Sequence, residues 1–292
     1  MKNKKKKPIS LYKIFTYVAL ITLAISIIVP VSWVFIASIK TNSEFYGSPW
    51  SFPQGFAFSN FVEAWNTAKM GEFFMNSVIV TVTALVILLV VALPASYALA
   101  RFNFKGKKFF NVMMMAGLFI NVNYIVVPIF LMLNGWDKML GQFSLTFFMN
   151  NRMILALIYA ATAIPFTVYL LSSYFKTLPK AYEEAAEIDG CGHFKTMVKI
   201  MFPMAKPSIV TVILFNFLAF WNEYIIALTL IQSEGAKTLP VGLLNLMATQ
   251  KAATNYGPMY AGLVIVMLPT LILYILVQKK LTQGMTMGGL KD

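Results

Sequence analysis

The chain has one cysteine and one histidine in 292 residues. A lone Cys191 excludes an intrachain disulfide, and no metal-ligand spacing surrounds it. A lone His193 excludes a histidine-based metal cluster or catalytic triad, so the plain readings are a packing cysteine and a surface histidine. Charge is scarce as well, at 12% of residues, where soluble domains carry roughly 25%. Most of the surface must therefore face something other than water. No G-x-x-x-x-G-K-[ST] phosphate loop occurs, so the chain lacks a P-loop ATPase of its own. The net charge of +13 does not point to nucleic acid, because the basic residues lie in short stretches without interleaved aromatic rings for base stacking.

What is abundant is apolar: 59% of residues. A membrane crossing needs about 20 apolar residues, and six stretches suffice: Ile14–Ser38, Phe74–Ala100, Phe109–Leu133, Met153–Leu171, Ile209–Ile231 and Ala261–Val277. Asn111, Asn121 and Asn123 interrupt the third, and Pro165 the fourth. Pro30, Pro94, Pro128 and Pro269 fall in other spans, where a missing backbone donor bends a helix. The first stretch follows Lys2 and Lys4 to Lys7. It exceeds the apolar core of a signal peptide and reads as a retained anchor.

The expected fold class is all-α, a polytopic membrane protein with about six transmembrane helices. Eighteen of the 24 Lys and Arg residues lie on the side of the N-terminus, the 101–108 loop, the 176–206 loop and the tail. This bias predicts that both termini are cytoplasmic. The expected division is a basic cytoplasmic N-terminus (1–13), a first helix with its outer loop (14–72), a transmembrane core (73–278) and a cytoplasmic tail (279–292). The outer loops near Ile39–Phe73, Asn134–Arg152 and Gln232–Met259 are too small for a catalytic domain.

The loop 172–206 is long, polar and patterned. Pro179 suits a helix start, and Ala181–Ile188 follows with strong helix formers whose acids Glu183 and Glu184 sit near the positive end of the dipole. Gly190 and Gly192 allow a turn. A second helix is expected over Phe194–Met201, ending before Pro203, with Pro207 opening the next span. Ala185 and Ala186 offer a close-approach face, Ile188 an apolar knob, and the acids a charged rim. A solvated face competes with this docking reading. A catalytic role for Glu183, Glu184, Glu187 and Asp189 lacks any supporting histidine cluster, metal site or phosphate loop.

Glu184-Ala185-Ala186, then Asp189-Gly190, then Ile200 and Pro203 at this spacing resemble the cytoplasmic EAA motif of ABC-importer permeases. Phe73–Thr81, Ser96–Lys108, Phe220–Leu228, Thr238–Leu243 and the ending Gln278–Asp292 extend the likeness to maltose-type carbohydrate permeases over nearly the whole chain. Cys191 and Gly192 depart from the commoner residues after the motif glycine. The resemblance implies that Ala181–Ile188 is a coupling helix, docking on an ATPase through Glu184, Ala185, Ala186, Ile188, Asp189 and Gly190. It implies a second permease subunit forming a heterodimer, a cytoplasmic ATPase dimer that carries the ATP and magnesium, and an extracellular solute-binding protein. It also implies a sugar substrate and a bacterial inner membrane as location. On this reading the chain is no enzyme and binds no cofactor itself; its remaining partner is membrane lipid.

Polar groups inside spans are candidates for the solute path. Asn121 and Asn123 fall in the third span, and Asn76 and Ser77 open the second. Asn216, Trp221, Asn222 and Glu223 lie in the fifth, beside Tyr224; seven residues apart, Asn216 and Glu223 would share one helix face. Glu223 is the only acid expected inside a span. The competing reading is that these groups satisfy one another across helices. An ion-coupled secondary transporter acting alone is the alternative function, against which stand the absence of a visible repeat and the single buried acid. A membrane-embedded enzyme would need a cluster of His, Asp or Cys at bilayer depth.

Overall fold

The structure, a computed structural model, describes residues 11–142 and 147–289. The lysine run at Lys2 and Lys4 to Lys7 and the last three residues of the tail lie outside the described residues. The chain is an all-α membrane protein, and no strand occurs among the described residues. In hydrocarbon every backbone N–H and C=O must find a partner within the segment, which leaves the helix as the form for isolated apolar runs. Two compact units result, one from the chain up to Ala68 with Asn245–Ile265, the other from Lys69–Leu244 with the chain from Val266 onward.

The first unit is built on α1 (Leu11–Ser38), whose side chains are almost all exposed as far as Pro30 and become half-buried or buried beyond it. A short helix, α2 (Asn42–Gly47), follows on a capping box: Thr41 Oγ1 accepts from Glu44 N, and Glu44 Oε2 accepts from Thr41 N at 2.9 Å. Glu44 also accepts from Gln54 N at 2.9 Å. The backbone donors of Thr41 and Gln54 hold its carboxyl below the ordinary range. Lys40 is buried, its ammonium donating to Ser48 O at 3.1 Å, Pro49 O at 2.9 Å and Ser51 Oγ at 3.4 Å. Asn60 donates to Ser38 O and Lys40 O. Asn60 lies so close to Gly257 that a Cβ there would meet its Oδ1 at 2.5 Å.

In the second unit α3 (Met70–Arg101) packs along α6 (Arg152–Thr177). Ala84, Ala92, Ala156 and Ala160 are all buried in the resulting core with Leu88 and Leu155. Such small residues permit close helix approach where lipid supplies no hydrophobic drive. Between them lie α4 (Lys107–Gly117) and α5 (Val122–Gly141), bent by 103°. The expected single crossing Phe109–Leu133 is thus two helices. The reason is Asn121, whose side chain accepts from Asn123 N at 2.9 Å and so caps a new helix start. At the bend a Cβ on Gly117 would come within 2.7 Å of the Pro165 ring, so only glycine fits there without a shift.

The first helix of the 172–206 loop, α7 (Ala181–Ile188), has the bounds expected from the sequence. The second helix does not stop before Pro203: the helical path runs His193–Met204, with a π turn at Met197–Met201. Pro203 is tolerated because it opens a new helical turn, where its missing N–H has no partner to lose. Next, α8 (Lys206–Trp221) ends at Trp221, and α9 (Ile225–Leu230) begins after a break, so the expected span Ile209–Ile231 is also interrupted. The expected outer loop 232–259 contains a 14-residue helix, α10 (Leu239–Ala252), and α11 (Tyr256–Gly289) completes the chain. Among the described residues, four helices are long and apolar enough to cross a membrane unaided, and up to six crossings result when each bent pair, α4 with α5 and His193–Met204 with α8, counts as one.

Candidate docking helix and polar core

In α7, Glu183 and Glu184 occupy the first turn, and the helix closes through Cys191 N to Ala186 O at 2.8 Å and Gly190 N to Glu187 O at 3.0 Å. Gly190 takes φ +74°, a left-handed conformation that glycine alone adopts without cost. Glu184, Ala185, Ile188, Asp189 and Gly190 are exposed, and Ile188 is 87% exposed. Ile188 is therefore an apolar side chain standing at the tip of an otherwise polar helix. Ala186 differs. It is buried within the chain itself, so the expected close-approach face rests on Ala185 and not on the pair. The helical period carries Ala186 inward, on the side where α7 packs against the turn Met197–Met201.

The remaining acid of the first turn, Glu183, anchors the helix. Its Oε2 lies 3.2 Å from Arg101 Nε, and its Oε1 accepts from Tyr97 OH at 2.7 Å. Arg101 Nη2 also donates to Leu178 O at 2.7 Å, just ahead of α7. Tyr97 and Arg101 both stand at the end of α3. His193 packs edge-on against Phe102 at 5.4 Å, and a cavity of about 380 Å³ lies among Tyr97, Arg101, Phe102, Glu183 and His193. The sequence carried a faint signal for this anchor, since Arg101 is the first charge after a long apolar run.

The solute-path candidates separate into two groups. Asn216 and Trp221 are buried and Glu223 is half-buried, whereas Asn121, Asn123 and Asn222 are exposed. Asn216 Nδ2 donates to Thr167 Oγ1 at 3.0 Å and Val212 O at 2.7 Å. Trp221 Nε1 donates to Val266 O at 3.1 Å. Glu223 accepts from Tyr159 OH at 2.6 Å, Ile226 N at 2.8 Å and Ala227 N at 3.2 Å, so it caps α9. Because α8 ends at Trp221, Asn216 and Glu223 do not share a continuous helix face as the seven-residue spacing suggested.

Asp137 was not singled out by the sequence, whereas Asn76 and Ser77 stand at the expected opening of the second span. Asp137 lies within α5, so Glu223 is not the only acid in a crossing once α4 and α5 count as one. Its carboxylate accepts from the backbone of Phe147 at 2.7 Å, Phe148 at 2.8 Å and Met149 at 2.7 Å. Asn76 donates to Gly235 O at 2.9 Å and Lys237 O at 3.0 Å and accepts from Arg152, while Ser77 Oγ accepts from Leu239 N at 2.7 Å. Asn76 and Ser77 thus fasten α3 to the segment ahead of α10.

Comparison with known proteins follows this geometry. The family model described as "Binding-protein-dependent transport system inner membrane component" matches residues 92–286, which include α7, Asn216 and Glu223. The diacetylchitobiose uptake system permease protein of Streptomyces coelicolor is 34% identical over 94% of this chain and 87% of its own length. The melibiose/raffinose/stachyose import permease protein of Bacillus subtilis is 30% identical over 87% of this chain and 88% of its own. A bacterial ABC transporter involved in the import of the acidic polysaccharide alginate shares the fold, with a TM-score of 0.78 at 23% identity, covering 95% of this chain and 99% of that one. With a family match over most of its length, the chain belongs to the inner-membrane permease components of binding-protein-dependent transport systems.

Proposed function

We propose that this permease component passes a carbohydrate, delivered by an extracellular solute-binding protein, through a heterodimer formed with a second permease. The two relatives named above, each covered over most of its length, have saccharides in their names, which supports the solute class. Energy enters through α7, which inserts Ile188 and the exposed face of Glu184, Ala185 and Asp189 into a cytoplasmic ATPase dimer. That ATPase carries the ATP and magnesium; this chain performs no hydrolysis. Both termini are cytoplasmic, in keeping with the distribution of Lys and Arg. The spans then alternate between inward- and outward-open arrangements, and each ligand shifts that balance by its differential affinity for the two.

The observation that carries this reading is an almost fully bare Ile188 two residues before a left-handed Gly190, in a helix held from behind by Glu183. Ile188→Asp and Gly190→Asp should leave the protein in the membrane while abolishing ATPase co-purification and ATP-driven uptake. Uptake by the purified chain alone, driven by an ion gradient without ATP, would sink the proposal and favour a secondary transporter. Within the core, Asn216, Trp221 and Glu223 are proposed to border the solute path, with Asn121, Asn123 and Asn222 at the helix breaks. Asn216, Trp221 and Glu223 already make hydrogen bonds inside the chain, so they shape the path more than they grip the sugar.

A further inference from the structure

The segment from Gly47 to Phe58 holds no charged residue, yet it exposes four large aromatic side chains: Trp50, Phe52, Phe56 and Phe58. Trp50 is 74% and Phe52 82% exposed. A water-facing loop would be expected to hide such rings.

The loop is held firmly, so their exposure is built in. Ala57 N donates to Ile39 O at 2.9 Å, returning the chain to the end of α1. Trp33 Nε1 donates to Pro49 O at 3.2 Å, and its ring lies 5.3 Å from that of Trp50. The buried Lys40 ammonium gathers Ser48 O, Pro49 O and Ser51 Oγ. Those carbonyls would go unmet where water is sparse, and Lys40 supplies their donors from within.

Depth follows from the sequence. No charge lies between Lys13 and Lys40. Trp33 stands twenty residues after Lys13, which at 1.5 Å per helical residue is about 30 Å, the thickness of the hydrocarbon layer. Trp33 and the Trp50 packed beside it therefore lie at the membrane boundary opposite the start of α1. The rings also continue the apolar surface of α1, which is almost all exposed as far as Pro30.

We propose that the loop carrying Trp50, Phe52, Phe56 and Phe58 is a membrane-interface anchor, seating its rings between headgroups and acyl chains in the leaflet opposite the N-terminal end of α1. Aromatic rings favour that zone because it accepts an apolar body beside a hydrated edge. The anchor fixes the depth and tilt of α1, which buries no side chain within this chain before Ala37.

The test uses the whole transport complex in phosphatidylethanolamine–phosphatidylglycerol vesicles. Spin labels are placed singly at Phe52→Cys and Phe56→Cys in a Cys191→Ser background, with Ser43→Cys as the water-facing reference. Collision rates with dissolved oxygen and with a water-soluble nickel chelate are then read at each site. High oxygen and several-fold lower nickel rates than at position 43, at either loop position, support the anchor. Nickel rates equal to the reference at both positions overturn it. Low rates for both reagents at both positions also overturn it, because they mean that another protein chain covers the rings.

Discussion

Arg101 Nε lies 3.2 Å from Glu183 Oε2, which joins the end of α3 to the first turn of the proposed docking helix. Most of the Arg101 side chain is buried, and the Glu183 side chain is partly solvated. Removing one partner of a fully buried pair costs about 3–5 kcal/mol. Solvent around Glu183 lowers the expected figure to on the order of 2 kcal/mol for Arg101→Ala. Uptake should fall while ATPase binding persists, because Ile188 remains in place. Thermal unfolding in detergent and a ratio of ATP hydrolysed to sugar moved would check this, and an unchanged ratio would count against a role in coupling.

Gly242 and Gly135 form a second contrast. A Cβ on Gly242 would meet Phe73 Cδ2 at 2.0 Å, whereas one on Gly135 meets nothing within 4 Å. Phe73 is itself buried, so it cannot swing into solvent. Gly242→Ala should destabilise by about 1–3 kcal/mol through overpacking. Gly135→Ala should stabilise by about 0.5–1 kcal/mol through helix propensity. Paired melting curves decide; equal shifts of the same sign would refute the packing account.

Tyr159 and Glu223 supply a third test. Their 2.6 Å hydrogen bond involves a carboxylate that also caps α9. A hydrogen bond to a charged group contributes about 1.5–3 kcal/mol. Tyr159→Phe and Glu223→Gln should each destabilise, and together by less than their sum, since both remove one interaction. If Glu223 borders the solute path, Glu223→Gln will also alter uptake in complexes that still assemble. Loss of assembly instead would assign it a purely structural role.

Glu44 predicts an acid dependence. Its folded carboxyl is held below the ordinary value of 4.5 by the backbone donors of Thr41 and Gln54. A depressed folded value means that the ionised form is favoured by folding, so the contribution is present above 4.5 and disappears as pH falls through the lower folded value. Glu44→Gln should remove that contribution at neutral pH and flatten the acid part of the stability curve, so that the two proteins converge as pH falls. An identical acid limb in both proteins would be the contrary result.

What the sequence disclosed followed the range of the forces involved. The bounds of Ala181–Ile188 were legible because the start signal and the closing glycine act within a few residues. The apolar runs were legible because hydropathy accumulates over twenty positions. The two broken spans were not, since averaging over a run hides one capping residue such as Asn121, and Glu223 reads as a lone acid until Ile226 N is seen to meet it. Glu183 was the least legible, because its meaning comes from Tyr97 and Arg101, distant in sequence. Ala186 shows the reverse error, a residue matched to a pattern that spends its side chain on the chain's own interior.

The fastenings at the two ends of α3 have a mechanical consequence. Its 32 residues span about 48 Å at the helical rise. Arg101 grips Glu183 and Leu178 at one end, and Asn76 with Ser77 grips the backbone of Gly235, Lys237 and Leu239 at the other. On the coupling proposed for α7, a shaft tied at both ends would act as a pushrod, carrying a pull on the first turn of α7 to the segment ahead of α10. Pro94 is then the one place along the shaft where a missing hydrogen bond could let the stroke dissipate.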